Sequence, residues 1–196
     1  MNSNNNNSQN NTPQSKTSGK SLNKMIYATL FAALIGICSQ IIIPLPFIPI
    51  NMALFAVFMS GICLGPIYGA LSVIIYCLLG LVGVPVFAGF NGGIHHLIGI
   101  TGGFIIGYIF TAFITGLLIC TKKSGTKPTP FRKLRPIIAM SLGLLSCYTI
   151  GTLWFMFVTD YSIKATLIYC VLPFIPGDIV KIALALVLAR KLRSFY

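Results

Sequence analysis

From Met25 onward, long apolar runs alternate with short breaks built from proline, glycine or basic residues. The runs cover Met25–Ile43, Met52–Leu64, Ile67–Leu81, Phe104–Cys120, Pro136–Val158, and a last segment from about Ile163 to Ala189. A helix needs about 20 apolar residues to cross about 30 Å of hydrocarbon. Six spans therefore fit the chain, the second and third being short and sharing a tight turn at Gly65-Pro66. The pattern predicts an all-α integral membrane protein with six transmembrane helices. Residues 23–196 form that domain. Residues 1–22 are rich in Asn and Ser and almost free of apolar side chains. They cannot bury enough surface to offset ordering entropy, and a disordered tail is expected there.

Two stretches depart from the alternation. Val84–Gly103 is too apolar for a free loop and holds Gly89, Gly92, Gly93, Gly99, Gly102 and Gly103. It is expected to fold back over the outer mouth of the helix bundle and cover a substrate site. The final segment is interrupted at Pro173 and Pro176-Gly177. The second interruption predicts a new helix start beside Asp178, where backbone N–H groups are free.

Charge fixes the expected orientation. Among 196 residues only 8% are charged, mean hydropathy is +0.88, and 14 basic residues face 2 acidic ones. Lys16, Lys20 and Lys24 precede the first span; Lys122, Lys123, Lys127, Arg132, Lys133 and Arg135 follow the fourth; Arg190, Lys191 and Arg193 follow the sixth. With six spans these twelve share one side, and the positive-inside rule places both termini in the cytoplasm of a multi-pass cell-membrane protein. The basic excess thus reports topology, and no nucleic-acid partner is expected.

The acid inventory limits chemistry. Asp160 and Asp178 are the only carboxylate side chains, which excludes a two-metal site or an acidic dyad. No catalytic residue and no metal site is expected. The six cysteines stand singly inside apolar runs and read as small hydrophobic filler. His95-His96 has no carboxylate near in sequence and reads as a pair of interfacial loop residues.

Asp178 and Lys181 lie three apart inside an apolar segment, on one helix face. Charges at such depth are costly and usually face a cavity on a substrate path, although a self-neutralising pair is the simpler reading. Asn91, flanked by glycines, offers a donor and an acceptor to a ligand, or serves as a turn residue of positive φ. Ala28 and Ala32 give the first span a small-x-x-x-small face, suited to close helix approach within the chain or with another.

Several ordered motifs together resemble the BioY family, the biotin-specific S components of energy-coupling factor (ECF) vitamin transporters. They are Pro46-Phe47-Ile48-Pro49-Ile50, Leu64-Gly65-Pro66 with Gly69-Ala70-Leu71-Ser72, Gly83-Val84-Pro85-Val86-Phe87-Ala88-Gly89, Thr101-Gly102-Gly103, Gly151-Thr152-Leu153-Trp154, and Pro173-Phe174-Ile175-Pro176-Gly177-Asp178 with Lys181. The resemblance spans about residues 25–193. It implies a bacterial membrane protein, not an enzyme, that captures biotin and takes no cofactor. A transmembrane coupling subunit and two ATPase subunits are the implied partners, with Ala28 and Ala32 docking the former. It carries ligand binding to Asp178, Lys181 and Asn91. Phe87, Phe90 and Phe174 are the candidates to cover the apolar body of biotin. One departure is Ala53, where the family often has Gln. Another vitamin is the nearest alternative ligand, and an intramembrane lipid-modifying enzyme a more distant reading.

Overall fold

A computed structural model describes residues 16–45, 48–120 and 131–193. In chain order these form α1 (Lys16–Ser39), β1 (Ile42–Ile43), β2 (Ile50–Asn51), α2 (Ala53–Leu81), α3 (Ile94–Ile98), α4 (Gly102–Cys120), α5 (Phe131–Thr159), α6 (Ile163–Cys170) and α7 (Phe174–Arg193). The two short strands pair antiparallel, Ile42 with Asn51 and Ile43 with Ile50, and carry the chain from α1 to α2 across the Pro-rich break. Most of the basic loop between the fourth and fifth predicted spans lies outside the described residues.

Two boundaries differ from the expectation. Helix α1 begins at Lys16, inside the 1–22 segment read as a disordered tail. Once an apolar helix has nucleated, extending it by further turns costs little, even through polar residues. Of the two interruptions expected in the last segment, the one at Pro173 is present and the one at Pro176-Gly177 is not. Helices α6 and α7 meet at a 48° bend across residues 171–173, and Pro176-Gly177 lies within the first turn of α7. There the missing proline N–H breaks no helical bond. Asp178 is accordingly the fifth residue of α7 and not its start.

Helix α2 is bent back on itself. Gly65 has φ 80° and ψ −173°, a left-handed conformation suited to glycine, and Pro66 restarts the helix. In a straight helix residues 60 and 69 would be about 13 Å apart. Instead Ser60 Oγ donates to Gly69 O at 3.5 Å, and a Cβ on Gly69 would lie 2.9 Å from Gly61 Cα. The arms 53–64 and 66–81 therefore lie side by side. Among the described residues, four helices are long and apolar enough to cross a membrane, or five with α6–α7 taken as one bent span, α2 counting as a single helix. This is fewer than the six spans expected because α2, bent back at Gly65-Pro66, enters the count once and not as two arms.

Helix α4 packs against both α2 and α5, while α1 and α7 pack on α2. Ala32 and Ile35 of α1 meet Ala53, Val57 and Tyr76 of α2 together with Ile105 and Ala112 of α4. Ala28 and Ala32 are 0% and 1% exposed. This corrects the docking assignment for both: the small faces are consumed by packing within the chain, and no surface at these side chains is left for a partner. All six cysteines are free, and Cys147 and Cys170 are buried.

Candidate ligand-binding cavity

A cavity of about 400 Å³ opens between α2, α4, α5, α7 and the segment that follows α2. Its walls are mainly apolar, with Ile48, Leu54, Phe104, Ile105 and Phe174 among them, and a few polar groups converge on it. Small-molecule sites are built in this way.

The buried charged groups of the wall come from α7. Asp178 is 1% and Lys181 3% exposed, and Lys181 Nζ donates to Asp178 Oδ1 at 2.6 Å. Three-residue spacing on a helix brings the two side chains to one face. From α5, Tyr148 donates its hydroxyl proton to Asp178 Oδ2 at 2.5 Å. A carboxylate offers about four lone-pair positions, and these two bonds leave room for further donors from a ligand. On the α2 side, Asn51 Oδ1 accepts from Ala53 N at 3.1 Å and from the Tyr108 hydroxyl at 3.3 Å.

The segment between α2 and α4 closes another wall. Phe87 and Asn91 exchange backbone hydrogen bonds of 2.9 and 3.3 Å, and the turn between them places Gly89 and Phe90 at positive φ. The Phe87 ring rests on Gly80, in space that a Cβ there would fill, and meets Tyr76 edge-on at 5.5 Å. The end of α1 holds this turn. Gln40 Nε2 donates to Phe87 O at 3.1 Å, Gln40 Oε1 accepts from Phe90 N at 2.8 Å, and Ser39 Oγ donates to Val86 O. Helix α3 is fixed at both ends. Gly93 N donates to Gly80 O at 2.7 Å, and Trp154 Nε1 donates to Gly99 O at 3.0 Å. It carries His95 and His96 into the cavity wall. Burial, and then the neighbouring His95, hold the His96 imidazole below its ordinary value.

Of the residues singled out in the sequence, Phe87, Asn91, Phe174, Asp178 and Lys181 all line this cavity. Asn91 also stabilises its own turn, its Nδ2 donating to Ala88 O at 2.9 Å, but the positive φ belongs to Gly89 and Phe90. Phe90 does not join the wall. It is 73% exposed, because the left-handed turn directs it away. Sequence reasoning missed Asn51, Tyr108 and Tyr148. Their signal was a polar group standing in an apolar span, or just before one.

Long apolar helices around a cavity whose polar groups are few and convergent define a multi-pass membrane protein built to hold a small molecule. Comparison with known proteins narrows this class. A model described as the BioY family matches residues 8–196, and the chain belongs to that family. It is 40% identical over 165 residues to a probable biotin transporter BioY of Pyrococcus horikoshii, covering 84% of this chain and 93% of that one. It is 36% identical over 173 residues to the biotin transporter BioY of Thermotoga maritima, covering 88% and 97%. Among solved structures it is similar to the S-component for biotin from an ECF-type ABC transporter. There the TM-score is 0.78 and the identity 31%, over 92% of this chain and 95% of that one.

Proposed function

We propose that this chain captures biotin for uptake, as the substrate-binding S component of an ECF-type transporter. The observation that carries the reading is the buried Asp178–Lys181 pair, held by Tyr148, within a cavity otherwise mainly apolar. The ureido ring of biotin offers two N–H donors and one strong acceptor on an apolar bicyclic body. Asp178 accepts from the ring N–H groups, and Asn91 pairs with the same ring. Phe87 and Phe174 cover the bicycle, with the 84–101 segment closing over it. The chain has no ATP-binding motif. A coupling subunit and two ATPase subunits therefore supply the energy for uptake. The site binds and releases, and no bond is made or broken. Titration of the purified chain with biotin, thiamine and riboflavin tests this directly: biotin alone saturates it, and saturation by another vitamin in place of biotin overturns the reading.

In the membrane, the two arms of α2 make separate passes, giving six with α1, α4, α5 and the bent α6–α7 pair. Both termini then lie in the cytoplasm and Asn91 outside. In a cysteine-free background, an impermeant thiol reagent on intact cells labels a cysteine at position 91 and not one at position 127. The opposite pattern inverts the topology.

A further inference from the structure

Resting on the biotin reading above, the charges around the cavity also assign a place to the other end of the ligand. The Asp178–Lys181 pair is close to neutral as a unit, since Nζ and Oδ1 are 2.6 Å apart. A ligand carboxylate brought there would gain Lys181 but face the Asp178 carboxylate at equal range, in a site where charges are weakly screened. That buried end is suited to a neutral, hydrogen-bonding group. Among the described residues, the other wall groups able to take up a positive charge are His95 and His96, on the more exposed side of the cavity. Their rings are 4.2 Å apart, and His96 meets the Phe87 ring at 6.1 Å. The anchoring of α3 at Gly93 and Gly99 holds both in place.

We infer that His95 and His96 form the subsite for the ligand's carboxylate, so that the ureido ring is read at Asp178 and the acid tail at the histidine pair. The subsite takes up a proton on binding. In the free protein burial and His95 disfavour the His96 cation, while an arriving carboxylate favours it. Affinity for an acid ligand therefore rises as pH falls through the histidine range, and levels off once the free protein is itself protonated. Groups facing the cavity from other elements are Tyr76 on α2, Tyr108 on α4, Cys147 and Tyr148 on α5, and Asp178 and Lys181 on α7. A ligand pair differing only in the tail cancels their contributions.

The test compares biotin with its primary carboxamide, titrated into the full-length chain in lipid nanodiscs at pH 5.5 and pH 8. At pH 5.5 a carboxylic acid with a pKa of about 4.3 is still ionised. The wild type should prefer biotin to the amide by about tenfold at pH 5.5, as one charge-assisted bond warrants, and by much less at pH 8. The double variant His95→Gln with His96→Gln should lose the preference at both pH values, so that the two ligands bind it alike. A preference in the wild type that does not change with pH, or one that survives in the double variant, overturns the subsite. If the double variant does not fold, the wild-type pH comparison decides alone. Should the wild type bind neither ligand, the biotin reading itself falls, which is a separate result from pH-independent binding of both.

Discussion

Tyr148 on α5 donates its hydroxyl proton to Asp178 Oδ2 on α7 across 2.5 Å, while Lys181 occupies Oδ1 at 2.6 Å. The carboxylate is held from two helices at once, and its remaining lone pairs are fixed in direction. This is preorganisation: the cost of orienting the acceptor is met in folding and not at binding.

Removing only that hydroxyl tests the point. A hydrogen bond to a charged group contributes about 1.5–3 kcal/mol, part of which is shared with ligand orientation. Tyr148→Phe should weaken biotin binding roughly tenfold and lower the thermal unfolding temperature by several degrees. Unaltered affinity in a folded variant would show that Asp178 needs no second anchor.

Gln40 makes a different kind of prediction. Its side chain bonds Phe87 O and Phe90 N, so it secures the turn that seats Phe87 against the cavity. Losing bonds of about 1 kcal/mol each should let the turn open more often. In Gln40→Ala, biotin dissociation should quicken about tenfold with association altered far less. A change confined to the association rate would mean the turn guards entry and not retention.

Ala28 is buried, and α1 packs on α2. Ala28→Trp should therefore lower the unfolding temperature and reduce biotin binding together, because overpacking a tight helix contact costs about 1–3 kcal/mol or more. A stable Ala28→Trp protein that binds biotin normally and fails only to co-purify with the coupling subunit would restore the docking role.

Much of this was legible in the sequence because lipid imposes simple rules. Apolar runs gave the helices, and the turn at Gly65-Pro66 followed from two residues that cannot both continue a helix. Charges at Asp178 and Lys181 stood out because the apolar run from Ala165 to Ala189 carries no others. What escaped were relations across the fold. Tyr148 and Tyr108 acquire a role only when α5 and α4 are set against Asp178 and Asn51. Phe90 was misjudged for a local reason, since its left-handed φ of 58° is rare outside glycine. Ala28 and Ala32 were misjudged because small residues serve internal and external helix contacts equally well. The break at Pro173 was legible, and Pro176-Gly177 makes no second one because proline is harmless in a first turn.

The central claim is that Asp178 recognises the ureido ring and is not merely the counter-ion of Lys181. Biotin affinity and unfolding temperature measured on Asp178→Asn, and on Asp178→Asn combined with Lys181→Met, test it most directly. Loss of the charge-assisted bond should weaken binding by about ten- to a hundred-fold or more in the single variant. The double variant, with no buried charge left unpaired, should regain stability without regaining affinity. A stable double variant that binds biotin at wild-type strength would contradict the account.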